Sequence, residues 1–199
     1  MIIPAALDKY GDRRWSVTTT PIIEPITVEE LKLYAKIDGS TEDDLLDILI
    51  SAVRGAMERY LGRALLEQTI TLTMDFWPGW VIYLPMPPLI SVTSIATLDE
   101  DNTATTYSSD NYYVDVITDP GRIVLKQSVT APNNTSRYYG GYRIIYKAGY
   151  GGDAEDVPKA IKQAMLIWCS IIYETRTFME EPPSEVVSML EYSYRIPNI

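Results

Sequence analysis

The chain contains no histidine, a single cysteine and several short carboxylate clusters, and these facts bound the chemistry open to it. Without imidazole there is no ready general base near neutral pH, no usual triad partner, and the commonest metal ligand is missing. Cys169 lies among apolar neighbours in Ile167-Trp168-Cys169-Ser170-Ile171, where a thiol packs rather than ionises, so it reads as a core residue and not a nucleophile. Gly149-Tyr150-Gly151-Gly152 falls between a strand and a helix, where phosphate loops occur. No Lys-Ser or Lys-Thr follows it, and its spacing matches neither the P-loop nor the dinucleotide fingerprint, so it is expected to be a turn that uses positive φ. Asp99-Glu100-Asp101-Asn102 lacks the downstream glycine and glutamate of a calcium loop and reads as a hairpin turn. Glu42, Asp43 and Asp44 suit the positive end of a helix dipole better than a metal. A hydrolase built on Asp99, Asp101 and Glu155 would need paired acids with one pKa raised. The sequence therefore assigns no catalytic, cofactor-binding or metal residue, and no enzyme is expected.

Composition points the same way. The 199 residues are 46% hydrophobic and 22% charged, ordinary for a globular protein. A net charge of −10 argues against sequence-independent DNA binding, which needs Lys and Arg to displace counterions; it suits a wall past which a duplex slides. One cysteine allows no intrachain disulfide and fits a reducing compartment. No basic region followed by an apolar run opens the chain, so no signal peptide is expected. The most apolar stretch, Ile161 to Tyr173, is interrupted by Lys162 and Gln163 and is too short to span a bilayer. Fifteen tyrosines and four tryptophans stand against two phenylalanines, a choice that suits surfaces destined to become interfaces. Tyr138, Tyr139 and Tyr142 beside Arg137 and Arg143 are the types that stack bases, but the overall acidity argues against that use.

The elements that would position these residues form a helix–strand–helix order. Residues 1–24 read as an extended arm punctuated by Pro4, Gly11 and Pro21, with no strand period. Thr27-Val28-Glu29-Glu30 is a capping box opening a helix that should end near Asp38-Gly39. A second helix is expected from Thr41 to Leu61, stopped by Gly62. Its stripe runs through Leu45, Leu49, Ala52, Ala56 and Tyr60 and is widened by Ile48, Val53 and Met57. Strands are expected at 69–74, 81–84, 92–98, 112–116, 122–125 and 142–147, with Gly, Pro, Asp and Asn turns between them. A long helix then follows Val157-Pro158, with Ile161, Ala164, Met165, Trp168, Ile171 and Ile172 on one face and Leu166, Ile167 and Tyr173 on its flank. The expected class is α+β: a helical scaffold, with an N-terminal helix pair and a long C-terminal helix, carrying an inserted antiparallel β-sandwich-like domain. Its parts are the arm 1–24, the N-terminal helices 25–64, the β insertion 65–148, the long helix 149–181 and a tail 182–199.

Several segments occur in an order that resembles one family. They are Pro25-Ile26-Thr27-Val28-Glu29-Glu30-Leu31-Lys32, Tyr60-Leu61-Gly62-Arg63-Ala64-Leu65, Leu84-Pro85-Met86-Pro87-Pro88, Pro120-Gly121-Arg122-Ile123, Ala148-Gly149-Tyr150-Gly151, Val157-Pro158 and Tyr194-Arg195-Ile196. Together they resemble the head–tail connector (adaptor) proteins of tailed phages and gene transfer agents, over residues 25–196. The resemblance implies a structural protein of the virion neck, assembled as a homo-oligomeric ring, commonly of twelve subunits. It implies a portal protein on one side, a stopper or tail-completion protein on the other, DNA passing through the lumen without specific binding, and neither cofactor nor membrane. Pro182-Pro183 sets off a tail rich in Tyr and Arg, hot-spot residue types; with the resemblance, this makes Tyr192, Tyr194, Arg195 and Ile196 the expected portal interface. A ring needs two different patches per subunit, which the broad helix faces suggest around Met57, Ile167 and Tyr173. The alternative is a β-sandwich surface-binding module for carbohydrate or a host receptor, with exposed Trp and Tyr on its loops.

Overall fold

The computed structural model describes residues 13–132, 137–177, 179, 181–191 and 193–196. Within them the chain divides into a helical unit, drawn from 21–66 and 150 onward, and a β unit drawn from 13–20 and 67–149.

The helical unit begins with α1, Val28–Ala35. Its capping box is complete: Glu30 N–H donates to the Thr27 hydroxyl at 3.1 Å, and Thr27 N–H donates to the Glu30 carboxylate at 2.8 Å. The helix ends earlier than its glycine suggested, because Lys36 itself turns left-handed (φ 55°) and its N–H returns to the Lys32 carbonyl. Helix α2 spans Asp43–Leu61, with Asp43 and Asp44 in its first turn and Gly62 at φ 68° as its cap. Helix α3 spans Lys159–Thr175 and α4 spans Ser184–Leu190. Their shared core is built from Leu31, Leu46, Ile50, Met57, Leu61, Met165, Trp168 and Leu190, among others. The buried stripe of α2 runs through Leu46, Ile50, Val53 and Met57, about one residue out of phase with the expected one. Leu45 and Ile48 are instead 44% and 66% exposed. The run Leu45-Leu46-Asp47-Ile48-Leu49-Ile50 places apolar residues at several phases, so periodicity alone cannot select the inward side; packing does.

The β unit contains β1 (Arg13–Thr19), β2 (Gln68–Met74), β3 (Val81–Tyr83), β4 (Leu89–Leu98), β5 (Ala104–Tyr107), β6 (Tyr112–Asp115), β7 (Arg122–Leu125) and β8 (Tyr142–Ala148). A five-stranded sheet has the order β1-β2-β8-β4-β5 and a three-stranded sheet the order β3-β7-β6, with every pairing antiparallel. Strand β1 lies in the segment read as an arm. Trp15 and Val17 stand opposite Leu72 and Ile70, so this part of the arm is a strand of the chain's own sheet. Tyrosine serves the interior here: Trp77 packs 5.8 Å from Tyr142 and 6.4 Å from Tyr107, which stacks on Tyr112. Tyr146 is fully buried and donates its hydroxyl to the Pro85 carbonyl at 2.7 Å. At Gly121 a side chain is excluded, since a Cβ would lie 2.3 Å from that of Leu89.

Candidate functional site

The expected docking residues assemble on the C-terminal end of α2. Val186 and Leu190 of α4 have no exposed surface and belong to the helical core. The chain then turns back: Tyr194 N–H bonds to the Leu190 carbonyl and Ile196 N–H to the Leu61 carbonyl, each at 3.0 Å. Arg63 is buried and donates Nε–H to the Tyr194 carbonyl. The Arg195 guanidinium lies 4.9 Å above the Tyr60 ring and 3.4 Å from Glu191. Tyr194, Arg195 and Ile196 are thus held together, while Tyr192 lies outside the described residues. The tail is not a detached element. Pro182-Pro183 bends the chain, but Val186 and Leu190, spaced i and i+4, give α4 an apolar side that its own core covers.

A buried charge network underlies this surface. Glu58 is 7% exposed; one carboxylate oxygen accepts from Leu65 N–H at 2.9 Å and the other from Arg54 at 3.2 Å. Arg54 also donates to Glu24 at 2.6 Å. Burial works against the Arg54 charge, but its hydrogen bond to Glu24 and the attraction of Glu58 outweigh it and raise its pKa. Glu58 fixes the turn that carries Arg63. Sequence reading missed it, because only its i+4 spacing from Arg54 hinted at a partner.

The three residues expected between subunits fare differently. Met57 has no exposed surface and sits in the core, so it offers nothing to a neighbouring chain and is removed from that set. Ile167 and Tyr173 are half-buried on α3 and pack against the same core. The Tyr173 hydroxyl donates to Glu42, and Arg176 covers the Tyr173 ring at 4.6 Å and reaches Glu42 at 3.2 Å. The Tyr173 hydrogen bond, then Arg176, hold the Glu42 pKa below its ordinary value. A depressed carboxyl pKa adds stability above the ordinary value that is lost as pH falls through the folded one. Tyr173→Phe is therefore expected to raise the Glu42 pKa toward normal and weaken that acid dependence. A carbon-detected titration of Glu42 checks this; an unchanged midpoint contradicts it.

The remaining candidates resolve as structure. In the glycine turn Gly149 adopts φ 134°, and a Cβ on Gly151 would lie 2.0 Å from the Asp156 carboxylate, which accepts from Asp153 N–H at 3.1 Å. The loop closes on its own acid. Asp99 accepts from Asp101 N–H at 3.0 Å and Thr103 N–H at 2.8 Å, an Asx turn between β4 and β5. Burial pushes the Cys169 thiol up to about 12. Glu155 lies 3.6 Å from Lys162. Tyr138 is 96% and Tyr139 68% exposed, with the Arg14 guanidinium 4.1 Å over the Tyr139 ring. Among the described residues no group of three or more His, Cys, Asp or Glu is placed to hold a metal, and no helix is long and apolar enough to cross a membrane.

The model of the head completion protein family matches residues 24–191. No curated protein sequence gives a significant match. The fold is similar to a chain in the neck of an empty gene transfer agent particle computed with C6 symmetry, with TM-score 0.79, 20% identity and coverage of 93% of this chain and 97% of that one. It is also similar to a chain of the native gene transfer agent virion (TM-score 0.73, 20% identity, 93% and 96% coverage). A third similar chain comes from the native neck computed with C12 symmetry (TM-score 0.67, 18% identity, 92% and 97% coverage). Together with the α+β fold, the family match defines a head completion protein. The chain belongs to the head completion protein family.

Proposed function

We propose that the chain forms a ring of twelve subunits beneath the portal, passes DNA through its lumen, receives a stopper or tail-completion protein on its far side, and performs no catalysis. The family match carries this reading, because it spans residues from both the helical and the β unit. The neck particles that hold similar chains were computed with six-fold and twelve-fold symmetry, which supports a ring. The portal meets the C-terminal surface, where Arg195 is 44% exposed at its side chain and Tyr194 and Ile196 frame it. Ile167 and Tyr173 lie partly exposed on α3 and contribute to subunit contacts. The net charge of −10 gives the lumen a surface that lets a duplex slide rather than stick.

Complementation tests the proposal. Particles made without this chain should stop as DNA-filled heads without tails, and adding the purified protein should restore tail joining. Tailed, infectious particles formed in its absence overturn it. In the same assay Arg195→Glu should melt within about 2 °C of wild type, as exposed substitutions do. It should nevertheless join heads roughly 30-fold less well, the loss of one hot spot. Normal joining by that variant removes Arg195 from the portal contact.

A further inference from the structure

Among the exposed apolar surfaces of the described residues, two lie outside this site and differ in shape. The first is the outer side of α2, where Leu45, Ile48, Ala52 and Gly55 recur at i, i+3, i+7 and i+10 and so share one stripe. Leu45 and Ile48 are 44% and 66% exposed, and the exposed acids Asp44 and Asp47 flank them. The second is the outer face of the three-stranded sheet. Val81, Val124 and Tyr113 stand directly across from one another, with Tyr83, Arg122 and Asp115 in the next row. Tyr113 is 62%, Tyr83 46% and Val81 38% exposed, whereas Ile82 and Ile123 on the inner face are buried. Lys126 lies 5.1 Å over the Tyr113 ring, and Arg122 reaches Asp115 at 2.9 Å.

We propose that the outer face of α2 in one copy docks on the outer face of the β3-β7-β6 sheet in the next, and that this contact propagates the ring. The inference rests on the ring reading and adds the surfaces that build it. A heterologous contact needs two different, complementary patches on one chain, and these two complement each other. One is a ridge whose small residue Ala52 admits close approach, with Arg59 lying against Gly55 at its far end; the other is a flat aromatic face. One rim is acidic through Asp44 and Asp47; the other carries Lys126, the Arg122 charge there being matched by Asp115, and this favours unlike pairing. Pairing two α2 ridges would bring acid against acid.

Cysteine cross-linking in assembled particles tests this. Ile48→Cys and Tyr113→Cys place thiols on the two faces, and buried Cys169 stays silent. Oxidised particles carrying both substitutions in each chain should give a ladder of disulfide-linked chains from dimer upward on a non-reducing denaturing gel. Particles assembled from a mixture of the two single variants should give dimers and nothing longer. A single variant that cross-links alone reveals like-to-like contact and overturns the inference. So does the absence of any linked chain from double-variant or mixed particles, which leaves the adaptor reading intact. Wild-type particles that lack the protein altogether defeat both.

Discussion

A chain ending at Glu181 is expected to lose the folded helical unit, not merely its hold on a partner. The truncation removes Val186 and Leu190, both fully buried, and the backbone hydrogen bond from Ile196 to Leu61. It also strips the Tyr194 carbonyl from buried Arg63. Each apolar side chain contributes roughly 1.5–3 kcal/mol when buried, and the exposed cavity adds to that. Loss of that acceptor from the Arg63 guanidinium costs about 1–3 kcal/mol more. The total, on the order of 5 kcal/mol or more, rivals the whole stability of an ordinary domain, about 5–15 kcal/mol. Circular dichroism and a thermal melt of residues 1–181 provide the check. A truncated chain with native helix content that melts within a few degrees of full length would show that the tail is dispensable to the fold. This outcome reverses what Pro182-Pro183 suggests on sequence grounds, because a proline pair reports a bend and says nothing of where the next helix lands.

That contrast marks what could be read without coordinates. Features specified by neighbouring residues were legible: the Thr27–Glu30 capping box, the Gly62 cap, the strand 122–125, and the helix that follows Val157-Pro158. Strand β1 escaped because Arg13-Arg14-Trp15-Ser16-Val17 alternates over too few residues among prolines and threonines to stand out. Strand β5 escaped because Ala104-Thr105-Thr106-Tyr107 is short and exposed at an edge, with little apolar signal. The inward phase of α2 was hidden by apolar residues on adjacent positions. The C-terminal tail is legible as a set of residue types and opaque as a geometry. Arg63 and Tyr194 lie 131 positions apart, and no local spacing encodes their contact. The same limit explains the interface residues. A wide apolar stripe says that a helix is covered on more than one side, but not whether its own chain or another supplies the cover.

Met57→Glu separates those two covers. Met57 is fully buried between Ala56 and Glu58 on the inward side of α2, in contact with the chain's own core. Replacing it forfeits about 2–5 kcal/mol of packing and drives a carboxyl among the apolar side chains of the core. The introduced group escapes part of that cost by staying protonated, so its folded pKa rises above the ordinary carboxyl value. A raised carboxyl pKa means the folded state binds the extra proton. The variant is therefore least unstable in acid and loses further stability as pH rises through the ordinary carboxyl range. At neutral pH the purified chain should be unfolded or melt at least about 8 °C below wild type, given a loss of roughly 4 kcal/mol or more and about 2–4 °C per kcal/mol at this size. Ile48→Glu, on the exposed side of the same helix, should melt like wild type and fail only in assembly. If Met57→Glu instead folds normally and is defective only in joining particles, Met57 is subunit surface and the core described here is not the one that holds the chain together.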